Sequence, residues 1–306
     1  NIHGVNDMSG INIFSRWVCK TFYRLTHSEK YDHNKNLWPY FKVQRKPCGM
    51  IQNVYFKNSR LNHIDIEARA RNKPLLIMAS GPSVNRIRGE FYDDYFDYMG
   101  VNGACALTPI NFRWYVIIDR SFIINKLDFI REIVGVSDLV LFCPCKCLEA
   151  ICSLIPPSRI RCQFKIIETI TNAMCETFLG KAYPVEPNDG EYHWFNETGF
   201  SAHLSRAVFD YGTVAYPALQ IACALGYKHI YFAGLDMNSF HSPRFYEQAD
   251  NILSTRLQRD FDKITRAFTA AHSYCDKHDI NVVNLSTESA VTVFPRQSWE
   301  TVIKRR

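Results

Sequence analysis

Three places in this sequence set small polar residues directly after an apolar run, where a turn can hold an anion or a sugar. PLLIMAS leads into Gly81, Pro82 and Ser83 from its own Ser80; Tyr98 to Val101 leads into Asn102 and Gly103; and HIYFAGLD ends on Asp236. A glycine turn after a strand exposes backbone N–H groups, and a helix start beyond it favours negative charge. Pro82 suits the first position of such a helix, and the Ser83 hydroxyl can cap it or reach a phosphate. The Asn102 carboxamide can read a ribose, a base or a phosphate, or support its own turn. Asp119, ending WYVIID, reads as a ligand contact or as the cap of the helix that follows. Thr213 stands at the N-cap position of a helical run, a second place for an anion or an ordinary cap.

These residues meet only if the runs before them are neighbouring strands. The runs at Pro74 to Ser80, Tyr98 to Val101, Trp114 to Asp119, Leu139 to Pro144, HIYFAG and Ile280 to Leu285 are apolar throughout and end in polar or turn residues, as buried parallel strands do. Between them Ala215, Leu219, Ala222 and Cys223 recur at helical spacing, and Gly226 stops that helix. Ala215, Ala218 and Ala222 let it approach a sheet closely. The pattern predicts an α/β fold with a mostly parallel sheet over 73–306, whose ligands bind at the carboxyl ends of the strands.

Composition narrows the partners. The 306 residues are 47% apolar and 22% charged, with 36 Lys+Arg against 30 Asp+Glu, which excludes disorder. A charge of +6 is too thin for a nucleic-acid stripe and fits anionic small molecules or an anionic membrane surface. Eleven cysteines without a signal-peptide pattern point to reduced thiols and a cytoplasmic setting. Cys143, Cys145, Cys147 and Cys152 have no second pair at zinc-finger distance and read as small buried hydrophobes rather than metal ligands. No run is long enough to span a bilayer. Residues 1–72 read as a basic N-terminal extension, irregular from residue 31. It opens with an amphipathic helix in which Phe14, Trp17, Val18, Phe22 and Leu25 alternate with Arg16, Lys20 and Arg24. That helix either lies in a lipid headgroup layer or packs on the body of the protein.

Several segments together carry a family resemblance: SGPS, VNG, YVIIDRSF from Tyr115, the helix from Thr213 running into YKHIYFAGLD, and SPRFYEQ from Ser242. They resemble the bacterial CMP-sugar transferases that include the family 42 sialyltransferases. They are more similar still to the lipopolysaccharide core transferases of the WaaZ type, which add a third Kdo residue. The resemblance implies a single Rossmann-like, GT-A-type domain that binds a CMP-activated sugar and passes it to a glycan hydroxyl without a metal or other cofactor. Ser83, Asn102 and Thr213 would contact the donor, within a site that includes Ser80, Gly81, Pro82, Gly103, Asp119 and Asp236. Tyr246 is the nearest equivalent of the tyrosines that hold the leaving phosphate, and Arg244 adds a guanidinium suited to a phosphate or sugar carboxylate. The acceptor would be the lipopolysaccharide core, and the enzyme peripheral to the inner membrane.

The general base is where this sequence departs from the sialyltransferase pattern, since TRLQRDFDKI carries no histidine. His241 offers a pKa near neutrality, and Asp260 offers a carboxylate, unless it pairs with Arg256 or Lys263 on a helix surface. The D-x-D string Asp260-Phe261-Asp262 lies in a helical pattern, not after a strand, which disfavours a metal-held diphosphate. Other readings stay open: a sialic-acid-like donor, a non-catalytic nucleotide- or glycan-binding protein, and Mg²⁺- and ATP-dependent phosphoryl transfer on a pterin.

Overall fold

The computed structural model describes residues 13–87, 89–107, 110–238, 244–247 and 257–304. Its main sheet has seven strands, and every strand pair recorded in it is parallel, giving an α/β fold. The chain divides into two compact units, residues 1–65 with 118–184 and residues 66–117 with 185–306.

The second unit holds five of the main strands, in the order Asn281–Asn284, His229–Ala233, Leu75–Met78, Asp97–Val101, Trp114–Val116. Leu75 pairs with both Ile230 and Asp97, and Ile230 with Val282, so the strands start and end at nearly one level. All four residues of Leu75–Met78 are buried, the signature of a parallel strand covered on both faces. The helix Ala215–Ala224 is buried along its whole length, which explains its run of alanines. It ends at Gly226, where φ is +91° and a side chain would strike the Arg69 carbonyl, so only glycine fits.

Gln220 in that helix joins it to Ser201 and to the short strand Val208–Phe209 before it. Its Oε1 accepts from Ser201 N and Phe209 N, both at 3.0 Å, while its Nε2 donates to the Phe209 carbonyl at 2.8 Å. The amide is fully buried, and these bonds use both its oxygen and its nitrogen.

The first unit holds the remaining main strands, Val140–Cys143 and Gln163–Ile166, and the stretch expected to be irregular. That stretch contains a three-stranded antiparallel sheet, Phe41–Arg45, Ile51–Phe56 and Ser59–Arg60. It belongs to this unit because polar contacts fasten it to distant sequence. Asn34 Nδ2 donates to the Gly180 carbonyl at 2.8 Å, Leu179 N donates to Asn34 Oδ1 at 3.0 Å, and Arg45 pairs with Glu168 at 2.5 Å. The helix Ile13–Thr26 forms as expected, with Arg16 reaching the buried Glu149. Among the described residues no helix is long and apolar enough to cross a membrane.

Replacing Gln220 with Leu strands two buried N–H groups and a carbonyl, so urea unfolding of the variant is expected to show a loss of about 2–4 kcal/mol. An unchanged midpoint would mean that this amide does not hold the helix to Ser201 and Phe209.

Candidate active site

Equal strand levels put three turns of the second unit side by side. Beyond the paired residues, Ala79 N donates to the Ala233 carbonyl at 2.8 Å and Gly81 N to the Gly234 carbonyl at 2.9 Å. Asp236, buried at the end of the His229–Ala233 strand, then accepts from Ser83 N at 2.9 Å, Ser83 Oγ at 2.5 Å and Ser286 Oγ at 2.6 Å. A Cβ on Gly81 would fall on the Asp236 carboxylate and the Gly234 carbonyl, so this close approach requires glycine. The carboxylate itself is fixed from behind: Ala290 N donates to its backbone carbonyl at 2.8 Å, and Asn284 Nδ2 to that of Leu235 at 3.0 Å.

This geometry revises the expected anion cradle. Ser83 has one hydroxyl proton and gives it to Asp236, leaving only lone pairs for a ligand. The residues after Gly81 form a five-residue 3-10 turn, Pro82–Arg86, with Pro82 at its first position. An α-helix start with several free N–H groups is therefore not present there, and Ser83 is an anchor of the turn.

The neighbouring strand Asp97–Val101 ends in a left-handed residue, Asn102, with φ +46°. Asparagine tolerates this conformation, and Tyr115 holds it by donating to the Asn102 carbonyl at 2.7 Å and accepting from Cys105 N at 2.9 Å. Asn102 Oδ1 is buried and has no hydrogen-bond partner among the described residues. Next to it, the Tyr246 ring lies directly on Gly103, where any Cβ would collide with it. Burial pushes the Tyr246 phenol up to about 12, against the pull of neighbouring Arg244, so it is a neutral group at physiological pH. Phe245 N, donating to the Ser80 carbonyl at 3.4 Å, brings the same segment to the first turn. Glu247, with a fully buried side chain, takes Arg244 Nη1 at 2.6 Å and Arg244 N at 3.0 Å. The guanidinium is thus oriented and its charge largely offset.

Ser80, Gly81, Pro82, Ser83, Asn102, Gly103, Asp236, Arg244 and Tyr246 are therefore brought together, and the remaining candidates are not part of this contact set. Asp119 lies in the first unit, is exposed, and caps the helix Arg120–Asn125 by accepting from Ser121 N at 2.8 Å. Thr213 is buried but does not cap: the cap position falls on Val214, and it is the Thr213 carbonyl that takes the Tyr216 N–H. Asp260 packs beside Gly212 and pairs with Arg259 at 3.0 Å, and Arg256 lies outside the described residues. His241 lies outside the described residues. The cysteines behave as hydrophobes: Cys143, Cys147 and Cys152 are buried, and burial pushes their thiols well above the usual range. Ser286, Glu247 and Tyr115 were not anticipated as site residues. For Ser286 a signal existed, because it follows a strand in register beside the one that leads to Asp236.

Fold and contact set define a parallel α/β protein with a polar cluster at the carboxyl ends of adjacent strands, where such folds bind ligands. Residues 196–295 match the family model for 3-deoxy-D-manno-octulosonic acid transferase WaaZ, a stretch that includes Asp236, Arg244, Tyr246 and Ser286. The chain is 36% identical over 94 residues to a probable 3-deoxy-manno-octulosonic acid transferase of Escherichia coli strain K12, covering 31% of this chain and 32% of that protein. It is 33% identical over 93 residues to the protein of the same description from Salmonella typhimurium strain LT2, covering 30% and 34%. These matches span about a third of the curated relatives. The resemblance to Kdo transferases read from the sequence is borne out over this stretch. Two structures of the sialyltransferase CstII from Campylobacter jejuni, with cytidine-5'-monophosphate and with CMP-3FNeuAc, share 12% identity at TM-scores of 0.43 and 0.42. They cover 75% and 74% of this chain and 86% of each of theirs, at scores too low to establish a common fold.

The two aspartates give a contrast. Asp236→Asn puts an amide donor where hydroxyl protons now point and is expected to lower stability by about 2–4 kcal/mol. Asp119→Ala removes only a helix cap, for about 1 kcal/mol. Guanidinium unfolding of both variants checks the ranking, and equal losses would contradict the anchoring role of Asp236.

Proposed function

We propose that the chain is a glycosyltransferase that moves Kdo from CMP-Kdo to a hydroxyl of the lipopolysaccharide inner core, using a Rossmann-like, GT-A-type site and no metal. The observation that carries this reading is the buried Asn102 acceptor, without a partner among the described residues, at a strand end where the Tyr246 ring lies on the next residue, Gly103. A buried carbonyl oxygen without a donor costs free energy, and a ligand N–H or O–H, such as a cytosine amine or a ribose hydroxyl, removes that cost. The match of residues 196–295 to a Kdo-transferase family supports the choice of sugar.

In the reaction the bond from the anomeric carbon to the phosphate oxygen breaks, CMP leaves with the electron pair, and the acceptor oxygen bonds to that carbon. The acceptor gives up a proton to a base, for which His241 and Asp260 are the candidates. Tyr246, as a neutral phenol, and the Arg244 guanidinium donate to the departing phosphate, stabilising charge that grows in the transition state. A monophosphate leaving group needs no bridging metal, and the D-x-D string Asp260-Phe261-Asp262 lies at a helix start. A phosphorylated glycolipid acceptor would put the enzyme at the cytoplasmic face of the inner membrane.

Calorimetry with CMP, UDP and ATP tests this. The expected result is CMP binding in EDTA, weakened about tenfold by Asn102→Ala, which is one lost hydrogen bond. Binding of ATP alone, and only with Mg²⁺, would overturn it in favour of phosphoryl transfer. Selective CMP binding with no transfer from CMP-Kdo would leave a nucleotide-binding protein or another CMP-sugar.

A further inference from the structure

The helix Ile13–Thr26 is mounted with its polar side inward. Arg16, Cys19 and Tyr23, at spacings of three and four residues, face the first unit, with Lys20 half-buried at the margin of that face; Tyr23 is buried and Arg16 reaches the buried Glu149. The opposite face carries Phe14, Trp17, Val18, Thr21, Phe22 and Leu25 at the same spacing, and all are exposed. Phe14 is 71%, Trp17 64% and Leu25 81% accessible. In a helix that merely packs on a domain the apolar stripe turns inward, because burying it is what holds the helix in place. Here Arg16, Tyr23 and their partners do that work, and although Phe22 stacks on Trp38, most of the stripe's surface stays accessible to solvent.

We propose that this face inserts into the headgroup layer of an anionic lipid bilayer, an inference beyond the transfer reaction and independent of it. Charge argues for a bilayer over a protein partner. The helix carries Arg16, Lys20 and Arg24 and no acidic residue, and Lys20 and Arg24 follow Trp17 around the helix circumference, bordering the stripe. An aromatic and cationic border beside an aliphatic face is the arrangement of interfacial helices, with rings at headgroup depth and basic groups toward phosphates. Arg16 and Arg24 are already paired with Glu149 and Asp32, so the apolar face supplies most of the attraction. Salt therefore weakens binding without abolishing it.

Sedimentation of the 306-residue chain with phosphatidylglycerol-containing vesicles, and with phosphatidylcholine vesicles alone, tests this. The expected result is binding to the anionic vesicles, at least tenfold weaker in Trp17→Glu/Leu25→Glu, with CMP binding and thermal midpoint unchanged because both side chains face outward. Trp17 emission should shift to the blue when vesicles are added, a signal absent in Trp17→Phe. Equal binding of variant and parent, no binding by the parent at low salt, or a parent dimer that the substitutions dissociate would each overturn the proposal, the last in favour of a second copy on this face.

Discussion

One carboxylate organises the strand ends of the second unit. Asp236 sits where two neighbouring parallel strands finish, and its oxygens take the backbone N–H and hydroxyl of Ser83 and the hydroxyl of Ser286. A buried charge is tolerated only when its lone pairs are used, and here all its partners come from the turns it must align. Gly81 follows from this, since no side chain fits between its backbone and the carboxylate. The same sharing explains why Ser83 is not free to donate to a phosphate. A residue that reads as a ligand contact in the sequence is, in the structure, a tie between two strand-end turns.

Around that anchor two further locks fix polar side chains of the site. Tyr115 locks the left-handed Asn102, and Glu247 locks Arg244, each by hydrogen bonds from buried positions. What these locks present is a carboxamide acceptor, a neutral phenol and an oriented guanidinium. Such preorganisation matters most where charge develops during a reaction, because the donors need not reorient as the bond breaks. For the proposed transfer this falls on the phosphate leaving with CMP.

Much of this was legible beforehand, for a physical reason. Parallel strands buried on both faces write continuous apolar runs, so Leu75–Met78, His229–Ala233 and Asn281–Asn284 could be read within a residue or two of their ends. The Ala215–Ala224 helix was marked by its alanines and by Gly226. Less visible was the antiparallel sheet from Phe41 to Arg60, whose half-buried strands alternate, with burial turning from Phe41 to the exposed Lys42, so that polar residues disguise the pattern. The turn after Gly81 departed from its expected helix because Asp236, distant in sequence, captures Ser83. Thr213 was misplaced by one position, and that one position moved its hydroxyl off the cap. Tyr115 could not have been found from local spacing, as its role lies in contacts with the Asn102 and Cys105 backbone that only the fold brings near, whereas Glu247 lies three residues from its partner Arg244.

The central claim is that the Asp236-anchored strand ends form the donor site, and a crystal structure of the protein with CMP tests it most directly. The account predicts nucleotide density over the Ser80 to Ser83 turn and Gly103, with a CMP donor atom within hydrogen-bonding distance of Asn102 Oδ1. Its phosphate should face Tyr246 and Arg244. Density at another place in the chain, with Asn102 Oδ1 still unpartnered, would contradict it.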